Sequence, residues 1–232
     1  MESNRRAFAG CCAVHTRGMR SSAALLAGFA TLQAFAAAVG PQGARAAAPT
    51  RGPPDAPALY GEAYRPQYHF SAAHGWVGDP DGLVYVDGHF DLYWWGHASS
   101  RDLVHYAERS PFAMQGDAGD IAYFSGSVVV DSRNTAGFGA GARVAIYTLF
   151  DKATKNQSQA ISYSSDGNRF QFYRGNPVLD IGATEFRDPT VFWYTPQQRW
   201  IMAVALALDR KIAFYASSNL KHWTWLSEFG PA

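Results

Sequence analysis

From Tyr68 onward, short runs of aromatic and β-branched residues alternate with turn-forming residues. No stretch carries the three-to-four-residue apolar spacing of a strong amphipathic helix. Leu83-Val84-Tyr85-Val86 and His89-Phe90-Asp91-Leu92-Tyr93-Trp94 flank Asp87-Gly88. This arrangement predicts a β-hairpin with a type I′ turn, whose two central residues need positive φ. Further strands are expected at 124–131, 143–150, 159–163, 170–173, 190–194, 200–208, 212–216 and 223–226, with turns at Asp166-Gly167-Asn168 and Pro196-Gln197-Gln198. The pattern is that of an all-β chain with regularly spaced turns.

An internal repeat narrows the architecture. Ser100-Arg101-Asp102-Leu103-Val104-His105-Tyr106 is similar to Ser218-Asn219-Leu220-Lys221-His222-Trp223, and Ser164-Ser165-Asp166-Gly167-Asn168-Arg169-Phe170 is a looser copy. Each copy follows an apolar strand and precedes an aromatic-ended one. Spacings of about 65 and 53 residues suit one four-stranded propeller blade per copy. The competing explanation is that Ser-Asp-Gly turns recur by chance in all-β chains.

The first part of the chain is not fold material. Residues 1–46 hold Arg5, Arg6, Arg17, Arg20 and Arg45 against the single acid Glu2, with an Ala-rich apolar run from Ala23 to Val39 and a small-x-small cleavage pattern at Ala44-Arg45-Ala46. That order reads as a secretory leader, with Met19 as an alternative start. The apolar run is too short for a transmembrane anchor to be the first choice. Residues 47–66, rich in Pro, Ala and Gly, read as a linker or surface arm, and residues 67–232 as the propeller part. Without the leader the net charge changes from +1 to about −3, which argues against a nucleic-acid partner. The only cysteines, Cys11 and Cys12, leave with it, so no thiol-based metal site or disulfide is expected. No His pair has metal-ligand spacing; His97 and His105 read as structural histidines.

The candidate chemistry lies in carboxylates. In Trp76-Val77-Gly78-Asp79-Pro80-Asp81-Gly82, Pro80 restricts Asp79 and biases it toward extended backbone. A plain Asp-Pro-Asp-Gly turn is the competing reading. Asp188 has the same Asp-Pro context in Glu185-Phe186-Arg187-Asp188-Pro189, and Phe124-Ser125-Gly126-Ser127 lies between the two acids. Carboxylates at different strand ends, near small hydroxyls and aromatic planes, suit a sugar. Glycoside hydrolysis needs such a pair of acids.

Together these segments resemble glycoside hydrolase family 32, the β-fructofuranosidases (invertases, levanases, inulinases). The family's Trp-Met-Asn-Asp-Pro-Asn-Gly, Phe-Ser-Gly-Ser and Arg-Asp-Pro motifs match Trp76–Gly82, Phe124–Ser127 and Arg187–Pro189 in order. Arg65–Phe70, Trp95–Ala98 and Asp102–His105 match further segments. The resemblance implies a five-bladed β-propeller fold, of which about three blades are present, since five need on the order of 250–300 residues. It implies a retaining double displacement on sucrose or a fructan, with Asp79 as nucleophile and Asp188 as stabiliser of the oxocarbenium-like transition state. Arg187 would bind substrate and keep Asp188 ionised. Trp76, Gly78, Trp95, Phe124 and Ser125 would line the fructose pocket. No cofactor and no metal are implied, and the enzyme would be secreted or periplasmic.

Three departures from the family pattern matter. Gly78 and Asp81 stand where the family has Asn. The segment between Leu92 and Trp95 is short and lacks a counterpart of the family's substrate-binding Gln. The family's general acid, a Glu in a Trp-Glu-Cys-Pro-like motif, has no counterpart; Glu228 lacks that context and Glu185 reads as a local structural acid. The expected function is therefore that of an exported β-fructofuranosidase missing its acid, whose isolated chain would fold poorly or be inactive. The alternative is a catalytically inactive or carbohydrate-binding propeller fragment.

Overall fold

A computed structural model of the protein describes residues 63–66, 68–75, 77–109 and 119–231. The expected leader (1–46), most of the expected arm (47–66) and Trp76 lie outside the described residues.

The hairpin forms as its sequence dictates. β1 (Gly82–Val86) pairs antiparallel with β2 (His89–Tyr93), and Asp87 and Gly88 take φ of 51° and 81°. β3 (His97–Ser100) and β4 (Tyr106–Glu108) complete a four-stranded meander. The second sheet runs β5 (Ile121–Asp131), β6 (Ala142–Asp151), β7 (Gln157–Ser164) and β8 (Gln171–Phe172), with β9 (Leu179–Ala183) added beside β7. The third runs β10 (Phe186–Tyr194), β11 (Arg199–Leu206), β12 (Lys211–Ser217) and β13 (Thr224–Phe229). A single 3₁₀ turn, Thr195–Gln197, is the one helical element among the described residues, and none of those residues forms a helix able to cross a membrane.

The repeat marks the same place in each sheet: the turn between the third and fourth strands of the meander. Ser100 Oγ donates to Asp102 Oδ1, Ser164 Oγ to Asp166 Oδ1 and Ser217 Oγ to Asn219 Oδ1, at 3.1, 2.8 and 3.3 Å. The same Oδ1 atoms accept the backbone N–H groups two and three residues on. These are Asx turns, which satisfy the backbone locally. The third copy starts at Ser217, one residue before the Ser218 that the sequence match suggests. Leu103, Gly167 and Leu220 then occupy one equivalent position, all with φ between 61° and 78°.

Two apolar clusters join the sheets. Tyr93 from the first sheet packs with Val128, Ala145, Tyr147 and Ala160 of the second. Ile146 and Ile161 of the second pack with Phe186, Val191, Met202 and Leu220 of the third. Each fully buried large side chain contributes about 1.5–3 kcal/mol. The docking brings the first strands of the three sheets together, with β5 packed against both β1 and β10.

A buried charge network reinforces the first junction. Asp91 Oδ1 lies 3.1 Å from His97 Nε2, and its Oδ2 lies 3.7 Å from Arg143 Nη2 on β6. His97 is buried and stacks on Tyr93, so its role is structural, as its sequence context suggested.

Candidate functional site

The loop before β1, the β2–β3 turn and the starts of β5 and β10 converge at one end of the three first strands. Asp79, Trp95, Phe124, Ser125, Arg187 and Asp188 line a cavity of about 320 Å³ there. Its size is at the small end of pockets that enclose small ligands, roughly 300–1,000 Å³. A larger hollow of about 650 Å³ runs along β3 and β4, but its Asp102 and Ser100 are already consumed by the Asx turn.

Asp79 is exposed to the cavity, and the Ser125 hydroxyl donates to its Oδ2 at 2.8 Å. This bond ties the loop before β1 to β5. Next along β5, Gly126 N–H donates to Asp81 Oδ1 at 2.9 Å. A register shift between Phe124 and Gly126 bulges β5 at this point. Gly126 is required there: a Cβ would collide with the Ile146 carbonyl and lie 2.7 Å from Tyr147 Cα on β6. Ser127 Oγ then accepts the Val191 N–H of β10 at 3.1 Å. The Phe-Ser-Gly-Ser segment thus reaches the first and third sheets from consecutive residues.

Asp188 is held differently from Asp79. Its φ is +60°, the left-handed region, where a residue before proline would be expected to be extended. Such a conformation costs on the order of 1–3 kcal/mol and must be imposed by its surroundings. It coincides with a register shift between Arg187 and Thr190. The Asp188 N–H donates to Thr148 Oγ1 at 3.2 Å; Thr148 donates to Gln159 Oε1 at 2.8 Å, and Gln159 Nε2 donates to the Phe186 carbonyl at 2.7 Å. Thr148 and Gln159 are both completely buried. This polar chain through β6 and β7 grips the backbone of β10 on both sides of Arg187.

The electrostatics set Arg187 against burial at Asp188. Arg187 Nε stands 3.7 Å from Asp188 Oδ2, but its Nη1 pairs more closely with Glu185. Partial burial raises the Asp188 pKa; Arg187 pulls against this, Asp79 adds to it, and the balance is upward. Arg187 thus favours the ionised form of Asp188, as the resemblance implied, while desolvation is the larger influence and works against it. Asp81 is shifted further. It is 1 % exposed, and burial pushes its carboxyl up to about 6, with Asp79 and Asp188 contributing in the same direction.

A family model for the "Glycosyl hydrolases family 32 N-terminal domain" matches residues 69–232. The chain belongs to glycosyl hydrolase family 32. It is 45 % identical over 190 residues to a levanase of Bacillus subtilis, covering 74 % of this chain and 27 % of that protein. It is 42 % identical over 188 residues to invertase 2 of Saccharomyces cerevisiae, covering 71 % and 35 %. The crystal structure of exo-inulinase from Aspergillus awamori superimposes with a TM-score of 0.67 at 36 % identity, covering 74 % of this chain and 41 % of that one. The chain thus spans about a quarter to two-fifths of the length of the relatives it matches.

Of the family 32 residues expected at the site, Asp79, Trp95, Phe124, Ser125, Arg187 and Asp188 come together in one cavity. Gly78 lies in the same loop but does not line it, and Trp76 is outside the described residues. Trp94, beside Trp95, is buried against Phe70 and belongs to the core. Thr148, Gln159 and the buried state of Asp81 were missed. Among the described residues, no group of three or more His, Cys, Asp and Glu side chains is arranged to hold a metal ion.

Proposed function

We propose that this chain is the substrate-gripping, nucleophile-bearing part of an exported retaining β-fructofuranosidase acting on sucrose or a fructan. The observation that carries the reading is the Ser125–Asp79 hydrogen bond inside a cavity that also presents Asp188 and Arg187. In the first step an Asp79 oxygen attacks the anomeric carbon of the fructosyl unit. The bond from that carbon to the leaving oxygen breaks, and a general acid gives that oxygen a proton. Asp188 and Arg187 hold ring hydroxyls while positive charge develops on the sugar, and Trp95 and Phe124 cover its apolar face. Water then attacks the fructosyl–Asp79 ester, releasing fructose and restoring the carboxylate.

Among the described residues, Asp79 and Asp188 are the carboxylates that line the cavity, so the proton donor is assigned to a group other than the described lining residues. The same observation favours the second reading, a carbohydrate-binding fragment without turnover. Export rests on the leader composition of residues 1–46 and fits the name of a similar Aspergillus niger protein, extracellular exo-inulinase.

A β-fructofuranosyl fluoride separates the two readings, because fluoride leaves without protonation. The full chain is expected to release fluoride and to gain the mass of one fructosyl unit at Asp79, and Asp79→Ala to do neither while still binding fructose. Fluoride release that persists in Asp79→Ala would remove Asp79 from the nucleophile role. Sugar binding with no fluoride release in the unsubstituted chain would favour the binding fragment.

A further inference from the structure

One buried acid at the site has no part in the chemistry just described. Asp81 is 1 % exposed; its N–H donates to the Tyr93 carbonyl at 2.8 Å, and its Oδ1 accepts the Gly126 N–H. Its Oδ2 is buried with no hydrogen-bond partner. An ionised carboxylate with an empty oxygen in such a place is costly, whereas a carboxylic acid carries its own donor.

We propose that Asp81 is a positioning residue whose neutral, protonated form is the working state of the site. The argument rests on Asp79 being the nucleophile. The Ser125 hydroxyl has one hydrogen to give, and it goes to Asp79 Oδ2. The same side chain lies close enough to Asp81 to favour charge there. While Asp81 keeps its proton it needs no donor, and Ser125 orients Asp79. Once Asp81 ionises, its carboxylate competes with Asp79 for that single hydrogen.

The surroundings of Asp81 set the direction of its titration. Asp79 faces it from its own loop, and Asp188 from β10; both disfavour a further negative charge, and among the described residues Arg187 on β10 is the cation lining the cavity. β5 offers the uncharged Ser125 and Gly126, and β2 offers the Tyr93 carbonyl. Burial is the largest influence, and the group titrates near 6. The working form is therefore present below about pH 6 and is lost as pH rises through it. Asn, the uncharged isostere, should hold the working arrangement at every pH.

The test measures fluoride release from β-fructofuranosyl fluoride between pH 4.5 and 8, in the full chain and in its Asp81→Asn variant (a window on the order of two units either side of the expected midpoint). The full chain should show kcat/KM falling about tenfold per pH unit above a break near 6. Asp81→Asn should lack that break and keep the low-pH rate within about threefold. The same break in both proteins would overturn the proposal. Fluoride release by Asp79→Ala would instead overturn the nucleophile reading beneath it. If the variant does not fold, or the chain releases no fluoride, carboxyl ¹³C NMR of the unsubstituted chain decides. A midpoint near 6 for Asp81, echoed by a step in the Asp79 resonance, supports the proposal. A midpoint in the ordinary carboxylate range, or no step at Asp79, overturns it.

Discussion

Thr148→Val removes one oxygen and almost no volume, and it should cost both stability and the shape of the site. The Thr148 hydroxyl serves two partners, donating to Gln159 Oε1 and accepting from the Asp188 N–H. Gln159 is fully buried, so its abandoned oxygen should cost about 1–3 kcal/mol. The Asp188 N–H is nearer solvent and can be partly rehydrated, adding about 1 kcal/mol. Against this, Asp188 is free to leave its φ of +60° and recover some of the ~1–3 kcal/mol of backbone strain. The net loss should be about 2–3 kcal/mol. Relaxation of Asp188 should also weaken fructose binding by about tenfold, which corresponds to roughly 1.4 kcal/mol. Urea denaturation followed by tryptophan fluorescence gives the first number and isothermal titration with fructose the second. Thr148→Ser, which keeps the hydroxyl, should lose much less of either. The reasoning fails if Thr148→Val unfolds within about 0.5 kcal/mol of the parent and binds fructose with unchanged affinity.

Other expectations follow from the same geometry. Asp81 has its folded pKa raised from 3.8 to about 6, so its contribution to stability is full below pH 4 and is lost as pH rises through 6. The Asp81→Asn variant should therefore gain up to ~3 kcal/mol on the parent at pH 8 and little at pH 4, measured by urea unfolding at both pH values. Gly126→Ala should drive β5 away from β6 and cost more than about 3 kcal/mol, seen as loss of a cooperative thermal transition; a melting curve like the parent's would show that the bulge can absorb a methyl group. Asp91→Asn strips the buried Arg143 and His97 of their shared acid and should cost about 3–5 kcal/mol in urea unfolding, and an unchanged midpoint would mean that the network is dispensable.

Much of the fold was legible because it is written in local chemistry. Asp87-Gly88 announces the β1–β2 turn, and a Ser-x-Asp or Ser-x-Asn pattern announces each outer hairpin. The third copy was misread by one residue because Ser217 and Ser218 are identical in composition, and only the hydrogen bond to Asn219 distinguishes them. β3 escaped notice because His97-Ala98-Ser99-Ser100 is fully buried yet small and polar, without alternation. β9 is short and mostly exposed, so it has no apolar face to detect.

The site was legible in its motifs but not in its supports. Thr148 and Gln159 sit inside strands where a Thr is an ordinary β-former and a Gln reads as a surface residue. What makes them special is burial on both faces of the central strands of a docked sheet, which no one-dimensional pattern records. Asp81 looked like the second acid of a turn. Its buried state depends on Tyr93 and Gly126, 12 and 45 residues away. At Asp188 the adjacency of Arg187 was visible in the sequence, but the partial burial that opposes it and the Arg187–Glu185 pairing were not.

The three consecutive residues Ser125, Gly126 and Ser127 bond to the loop before β1, to Asp81 and to β10 in turn. No single sheet therefore owns the cavity. Each hairpin can close by itself, but a sugar can be gripped only after all three sheets have docked. Ligand affinity is then a gauge of assembly. On warming, fructose binding should vanish while far-UV circular dichroism still reports intact strands, and the gap between the two curves measures how loosely the sheets are coupled.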